Sequence, residues 1–103
     1  MEVKPLEVFS EACNHGIVRM PGRNYPGCVL QGDSLKILWG LAKHIREGVR
    51  SGRTEDEDFV DSVERLHDSL LGRLLHYQEV LLREGFDLPY YPPVTEMVEG
   101  PPS

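Results

Sequence analysis

The sequence predicts an α+β fold: a three-stranded antiparallel meander followed by two helices, the second long, with an extended Pro-rich C-terminal tail. Two observations carry this expectation. The first third of the chain alternates short β-favouring runs with Asn, Pro and Gly turn signals, as in Asn14-His-Gly16, Pro21-Gly22 and Pro26-Gly27. The remainder repeats apolar residues at three- and four-residue spacing over two stretches separated by Ser51-Gly52.

Leu6-Glu-Val-Phe-Ser10 reads as a first strand reaching about Glu11, and Asn14-His-Gly16 as a turn, because Asn and Gly tolerate positive φ. Gly16-Ile-Val-Arg-Met20 is the second strand. Pro21-Gly22 pre-sets a turn after it, and Cys28-Val-Leu-Gln31 supplies the third strand. Gly32-Asp33-Ser34 ends that strand, and Asp33 or Ser34 is expected to cap a helix over 34–50. Leu35, Leu38, Leu41, Ala42, Ile45 and Val49 draw its apolar stripe, with Ile37 and Trp39 falling outside it.

Thr54-Glu-Asp-Glu57 has the spacing of a capping box, and the acidic cluster Glu55–Asp58 suits the positive end of a helix dipole. The second helix is expected to run to Glu84 and stop at Gly85. Roughly thirty residues at 1.5 Å each would span ~45 Å, more than the first helix or three short strands cover. Its two adjoining apolar stripes are too wide for one neighbour. Leu70, Leu71, Leu74, Leu75 and Tyr77, together with Trp39, are therefore expected at an interface between copies, unless the helix bends near Gly72 and folds back. Phe86, Tyr90 and Tyr91 are the expected anchors of the tail. The domain organisation expected is a single α+β domain over 1–88 and a Pro/Tyr-rich tail over 89–103.

Composition limits the function. The chain has 103 residues, 27% charged, with a net charge of −6. The charge is uneven: residues 1–53 carry eight Lys/Arg against five Asp/Glu, and residues 54–103 carry three against twelve. No continuous basic stripe is present, which disfavours duplex nucleic acid as a partner. No apolar run approaches a membrane span, and Met-Glu-Val-Lys-Pro lacks the layout of a signal peptide, so the expected setting is cytoplasmic, with no membrane partner. Cys13 and Cys28 lack C-x-x-C spacing and are expected to be buried free thiols.

The candidate site joins Arg19 and Arg23 to Gln31, Gly32, Asp33 and Ser34, since arginines and the unpaired N–H groups of a helix start both favour an anion. In a meander these halves lie a strand length apart, and they meet only if the loop folds over or a second chain contributes. Alternatively the arginines pair with Glu7, Glu11 or the acidic helix, and Asp33 merely caps. Metal chemistry is a second possibility, through Glu64-x-x-His67 or through His44 with His67 and Asp68. Thiol chemistry through Cys13 and His15 is a third.

Three segments carry a resemblance: Ser-Glu-Ala-x-Asn at 10–14, Arg-x-Pro-Gly-Arg-x-x-Pro-Gly at 19–27 and Gln-Gly-Asp-Ser-Leu at 31–35. Over residues 6–46 they resemble an uncharacterised family of small bacterial proteins. The resemblance implies a bacterial or phage source and a cytosolic setting, and no activity, catalytic residue, metal or cofactor. The expected function is that of an oligomeric, non-enzymatic binding module for a protein partner or a small anionic, nucleotide-like ligand. By analogy it could serve as a toxin-immunity or phage counter-defence protein, and the competing class is a small metal- or thiol-dependent enzyme.

Overall fold

β1 (Glu7–Ser10), β2 (Ile17–Arg19) and β3 (Gly27–Cys28) form a sheet of order β1-β2-β3, with both pairs antiparallel; α1 (Gly32–Ser51) and α2 (Glu57–Arg83) follow. The meander with two helices, the second longer, is the predicted architecture. The computed structural model describes residues 3–11 and 16–97, so the expected turn at Asn14–His15 lies outside the described residues. Among the described residues no helix is long and apolar enough to cross a membrane.

The chain forms two compact units. The first comprises the described residues up to Leu30 together with Arg73–Thr95. Its β1–β2 ladder pairs Glu7 with Arg19, Val8 with Val18 and Ser10 with Ile17, which leaves Phe9 in a bulge. The predicted turn forms at Met20–Arg23, closed by the Arg23 N–H to the Met20 carbonyl at 3.2 Å with Gly22 at φ 81°, as Pro-Gly at its centre demands. β3 is shorter than expected, because only Gly27 and Cys28 pair with β2, and the Val29 N–H to the Gly16 carbonyl at 2.8 Å adds the last link. Cys28 is consequently exposed on an edge, not buried as its composition suggested.

Ile17, Tyr77, Val80 and Leu81 are the buried core of this unit, with Phe9, Phe86, Leu88 and Tyr90 packed against it. Tyr77 donates its hydroxyl to the Pro26 carbonyl at 2.6 Å. Gln78 ties down the tail: its side-chain amide donates to the Val94 carbonyl, and its Oε1 accepts from the Val94 N–H and the Tyr90 hydroxyl. Phe86 and Tyr90 thus anchor the tail as expected, whereas Tyr91 is 91% exposed.

The second unit comprises Gln31–Gly72 and the described residues from Glu96 onward. α1 starts two residues before the predicted position. Gln31 occupies the N-cap without a side-chain cap bond, and Asp33 sits inside the first turn, where its carboxylate accepts the Ser34 N–H at 2.8 Å. α2 starts later than the capping box implied, at Glu57, with the Asp56 carbonyl accepting the Val60 N–H. Gly48 is buried on α1 because Phe59 lies against it: a Cβ there would overlap the Phe59 ring. His44 Nδ1 and the buried Ser62 Oγ are 2.7 Å apart.

Both helices end alike. Gly52 and Gly85 take left-handed backbone, and the residue after each returns its N–H to the helix, Arg53 to the Gly48 carbonyl and Phe86 to the Leu81 carbonyl.

Candidate functional site

The β1–β2 ladder stops at the Glu7–Arg19 pair, beyond which Pro5 and Pro21 lack the N–H groups to continue it. Residues 4–7 and 19–23 therefore line a cavity of about 530 Å³ whose walls carry Lys4, Arg19 and Arg23, one carboxylate from Glu7, and the apolar side chains of Leu6 and Met20.

Arg19 is held in place. Its Nε donates to Glu7 Oε1 at 2.7 Å, Nη2 reaches the same oxygen, and Nη1 donates to the Asn24 carbonyl at 3.5 Å. Its guanidinium carbon stands 5.9 Å from the Phe9 ring centre and 5.1 Å from that of Phe86, while those two rings meet edge to face at 5.3 Å. An arginine resting on two rings with a carboxylate partner loses little further entropy when it also meets a ligand. The expected pairing of Arg19 with Glu7 is thus present. The same cleft holds Arg23, whose backbone closes the Met20–Arg23 turn.

Gln31, Gly32, Asp33 and Ser34 belong to the second unit and Arg19 and Arg23 to the first. At the start of α1 the Asp33 carboxylate already accepts the Ser34 N–H, which places a negative group where an anion would have to sit. Lys4, Leu6 and Met20 were absent from the sequence-derived set. The register alone brings them in: once Glu7 faces Arg19, residues 4–6 must face 20–23.

The residues expected at an interface divide by burial. Leu71 and Tyr77 are buried, which corrects their expected availability to a partner. Leu75 is half-buried, and Trp39, Leu70 and Leu74 are exposed, with Lys43 Nζ lying 5.3 Å from the Trp39 ring centre.

The histidines do not form the expected pair. His44 faces Ser62 and His76 bonds Ser10 Oγ at 3.0 Å. His67 lies between two carboxylates, with Nδ1 3.1 Å from Asp68 Oδ1 and Nε2 2.9 Å from Glu96 Oε1. The hydrogen bonds to Asp68 and then Glu96 raise its pKa above the ordinary histidine value. Although Cys28 is surface-exposed, partial desolvation of its sulfur pushes the thiol up, offset in part by Arg73, so it is a poor nucleophile at neutral pH. Cys13 and His15, the other thiol candidates, lie outside the described residues.

No curated protein and no solved structure matches the chain. Residues 1–90 match a family of unknown function, DUF6959, and the match runs well past residue 46, where the resemblance in the sequence stopped, through α2 and into the start of the tail. The chain belongs to that family.

Proposed function

We propose that this protein is a binding module, and that the cleft at the open end of the β1–β2 ladder takes a small ligand with an anionic head and an apolar body. The observation that carries the reading is the lining of that cavity, three cationic side chains against one carboxylate, with Leu6, Met20 and two prolines as its apolar wall. The anionic head would meet Arg23 and the immobilised Arg19 in a charge-assisted contact. Exposed Trp39, Leu70 and Leu74 support self-association as the second part of the reading, and the exposed free thiol of Cys28 suits a cytoplasmic setting.

The test is an NMR titration of the labelled protein with adenosine monophosphate at low salt. Saturable shifts are expected at the amides of Arg19, Gly22 and Arg23. Arg23→Ala, which spares the Arg19–Glu7 pair, is expected to weaken the binding about tenfold, the ~1.4 kcal/mol of one charge-assisted contact. Shifts that spread over other regions, or that persist unchanged in Arg23→Ala, would refute the assignment.

A further inference from the structure

In the second unit His44 lies level with Ser62 and Gly48 with Phe59, so α1 and the first part of α2 run antiparallel. Leu41, Ile45 and Gly48 of α1 and Phe59, Ser62 and Leu66 of α2 are buried or half-buried, and they mark the inward face of each helix. In an antiparallel pair a step of one residue turns both helices toward the same side. One step on from the inward faces stand Leu35, Trp39 and Val49 of α1 and Val60, Val63 and Leu70 of α2, each more than a third exposed. They form one apolar face, two helices wide, at the three- and four-residue spacing of a bundle seam. One step back, by contrast, α2 carries Asp58, Asp61 and Arg65. Arg46 and His67 interrupt the apolar face. Both ring nitrogens of His67 are already met by Asp68 and Glu96, and an arginine stem is long enough to carry its charge to the rim.

We propose that a second copy of this chain covers this face, forming an antiparallel four-helix bundle in which α1 of each protomer lies on α2 of the other. The charges beside the two apolar stripes select that arrangement. Lys36, Lys43 and Arg50 recur every seven residues along the outer edge of α1, and Glu57 and Glu64 stand seven apart along the outer edge of α2. A two-fold axis parallel to the helices keeps every residue at its own level, so Lys43 meets the partner's Glu64 and Arg50 meets the partner's Glu57. A two-fold axis across the helices would set α1 on α1 and α2 on α2, basic row against basic row and acidic against acidic. The six apolar side chains leave on the order of 500 Å² per chain in water, and with the charged rows the face approaches the ~800 Å² that each partner gives to a standard interface. This inference rests on the self-association part of the proposed function, to which it adds the face and the orientation, and it is independent of the cleft.

The experiment is analytical ultracentrifugation of the full chain at concentrations up to ~100 μM, where a monomer–dimer equilibrium is expected. Trp39→Asp is expected to weaken the dimer at least about tenfold, with unchanged circular dichroism because the residue is exposed. Lys43→Glu and Glu64→Lys are each expected to weaken it about tenfold at low salt, and the double variant is expected to regain most of the affinity, since both protomers then carry the exchanged pair. A dimer that Trp39→Asp leaves intact, that either charge reversal strengthens, or that the double variant fails to restore would overturn this arrangement and leave self-association standing. A chain that stays monomeric up to ~100 μM would overturn both.

Discussion

In the first unit Ile17, Tyr77, Val80 and Leu81 bury one another, and Phe9, Phe86, Leu88 and Tyr90 close round them. In the second unit Leu41 and Leu71 are the large apolar residues that are buried among those described, while Leu35, Ile37, Trp39 and Val49 are all more than half exposed. The two use similar helical sequence, so hydrophobicity is not what separates them. The number of neighbours is. In the first unit a stretch of α2 meets side chains from the sheet, from the loop at Pro26 and from the tail, which cover an apolar band on several sides. A helix facing one other helix covers a single stripe, and the rest of its band stays in water.

The buried polar groups follow the same division. Gln78 makes three hydrogen bonds to the tail and so uses both ends of its amide, whereas Ser62 meets the His44 imidazole. In each case the polar group is satisfied, as burial requires.

The largest expected effect is at the centre of the tighter core. Leu81 is fully buried, and Leu81→Ala should cost about 2–5 kcal/mol, from lost transfer energy and the cavity left behind. Leu41→Ala, at a position 9% exposed with fewer buried neighbours, should lie at or below the lower end of that range, about 2 kcal/mol. Urea unfolding of both variants measures the contrast, and equal losses would erase it.

A smaller effect is expected where the second unit is most tightly fitted. Gly48→Ala drives a methyl group into the Phe59 ring, an overpacking cost of about 1–3 kcal/mol, from which the better helix propensity of Ala recovers up to ~1 kcal/mol. The loss caused by Gly48→Ala should largely disappear when that change is made in a Phe59→Ala background, because the clash no longer exists. A double-mutant cycle showing no coupling would mean that these helices do not pack through this notch.

The smallest effect is Tyr77→Phe, about 1 kcal/mol for the hydrogen bond to the Pro26 carbonyl. It has a pH signature that the other substitutions lack. Burial, before any neighbouring charge, raises the Tyr77 pKa above its ordinary value, and Tyr90 is raised for the same first reason. Above a pH of about 10 the unfolded chain releases a tyrosine proton that the folded chain still holds, so the unfolded state binds fewer protons. The contribution is complete below that pH and is lost as pH rises through the higher folded pKa. Thermal unfolding between about pH 8 and 11 should show a shallower alkaline decline in Tyr77→Phe than in the parent.

The punctuation of the chain was legible because it is local. Pro21-Gly22 makes its turn, and Gly52 and Gly85 end their helices, wherever the rest of the molecule lies, since each acts through its own φ angle. Helix starts were less legible. Thr54 has the right spacing for a cap, yet the turn there extends to Asp56 before α2 begins, and Asp33 lies inside α1 instead of capping it. Side-chain caps compete with turns that use the same residue types, and their sequence signals overlap.

The sequence by itself determined the strand, turn and helix order, the ends of the helices and the separation of charge between the two halves of the chain, because these depend on neighbours in sequence. Tertiary structure alone decided that Lys4 shares a cleft with Arg23, that Gly48 makes room for Phe59, that Tyr77 is core and not interface, and that Glu96 meets His67. Each of those facts depends on register or on packing between residues distant in the chain, and such pairings follow from which surfaces exclude water together, which no local pattern encodes.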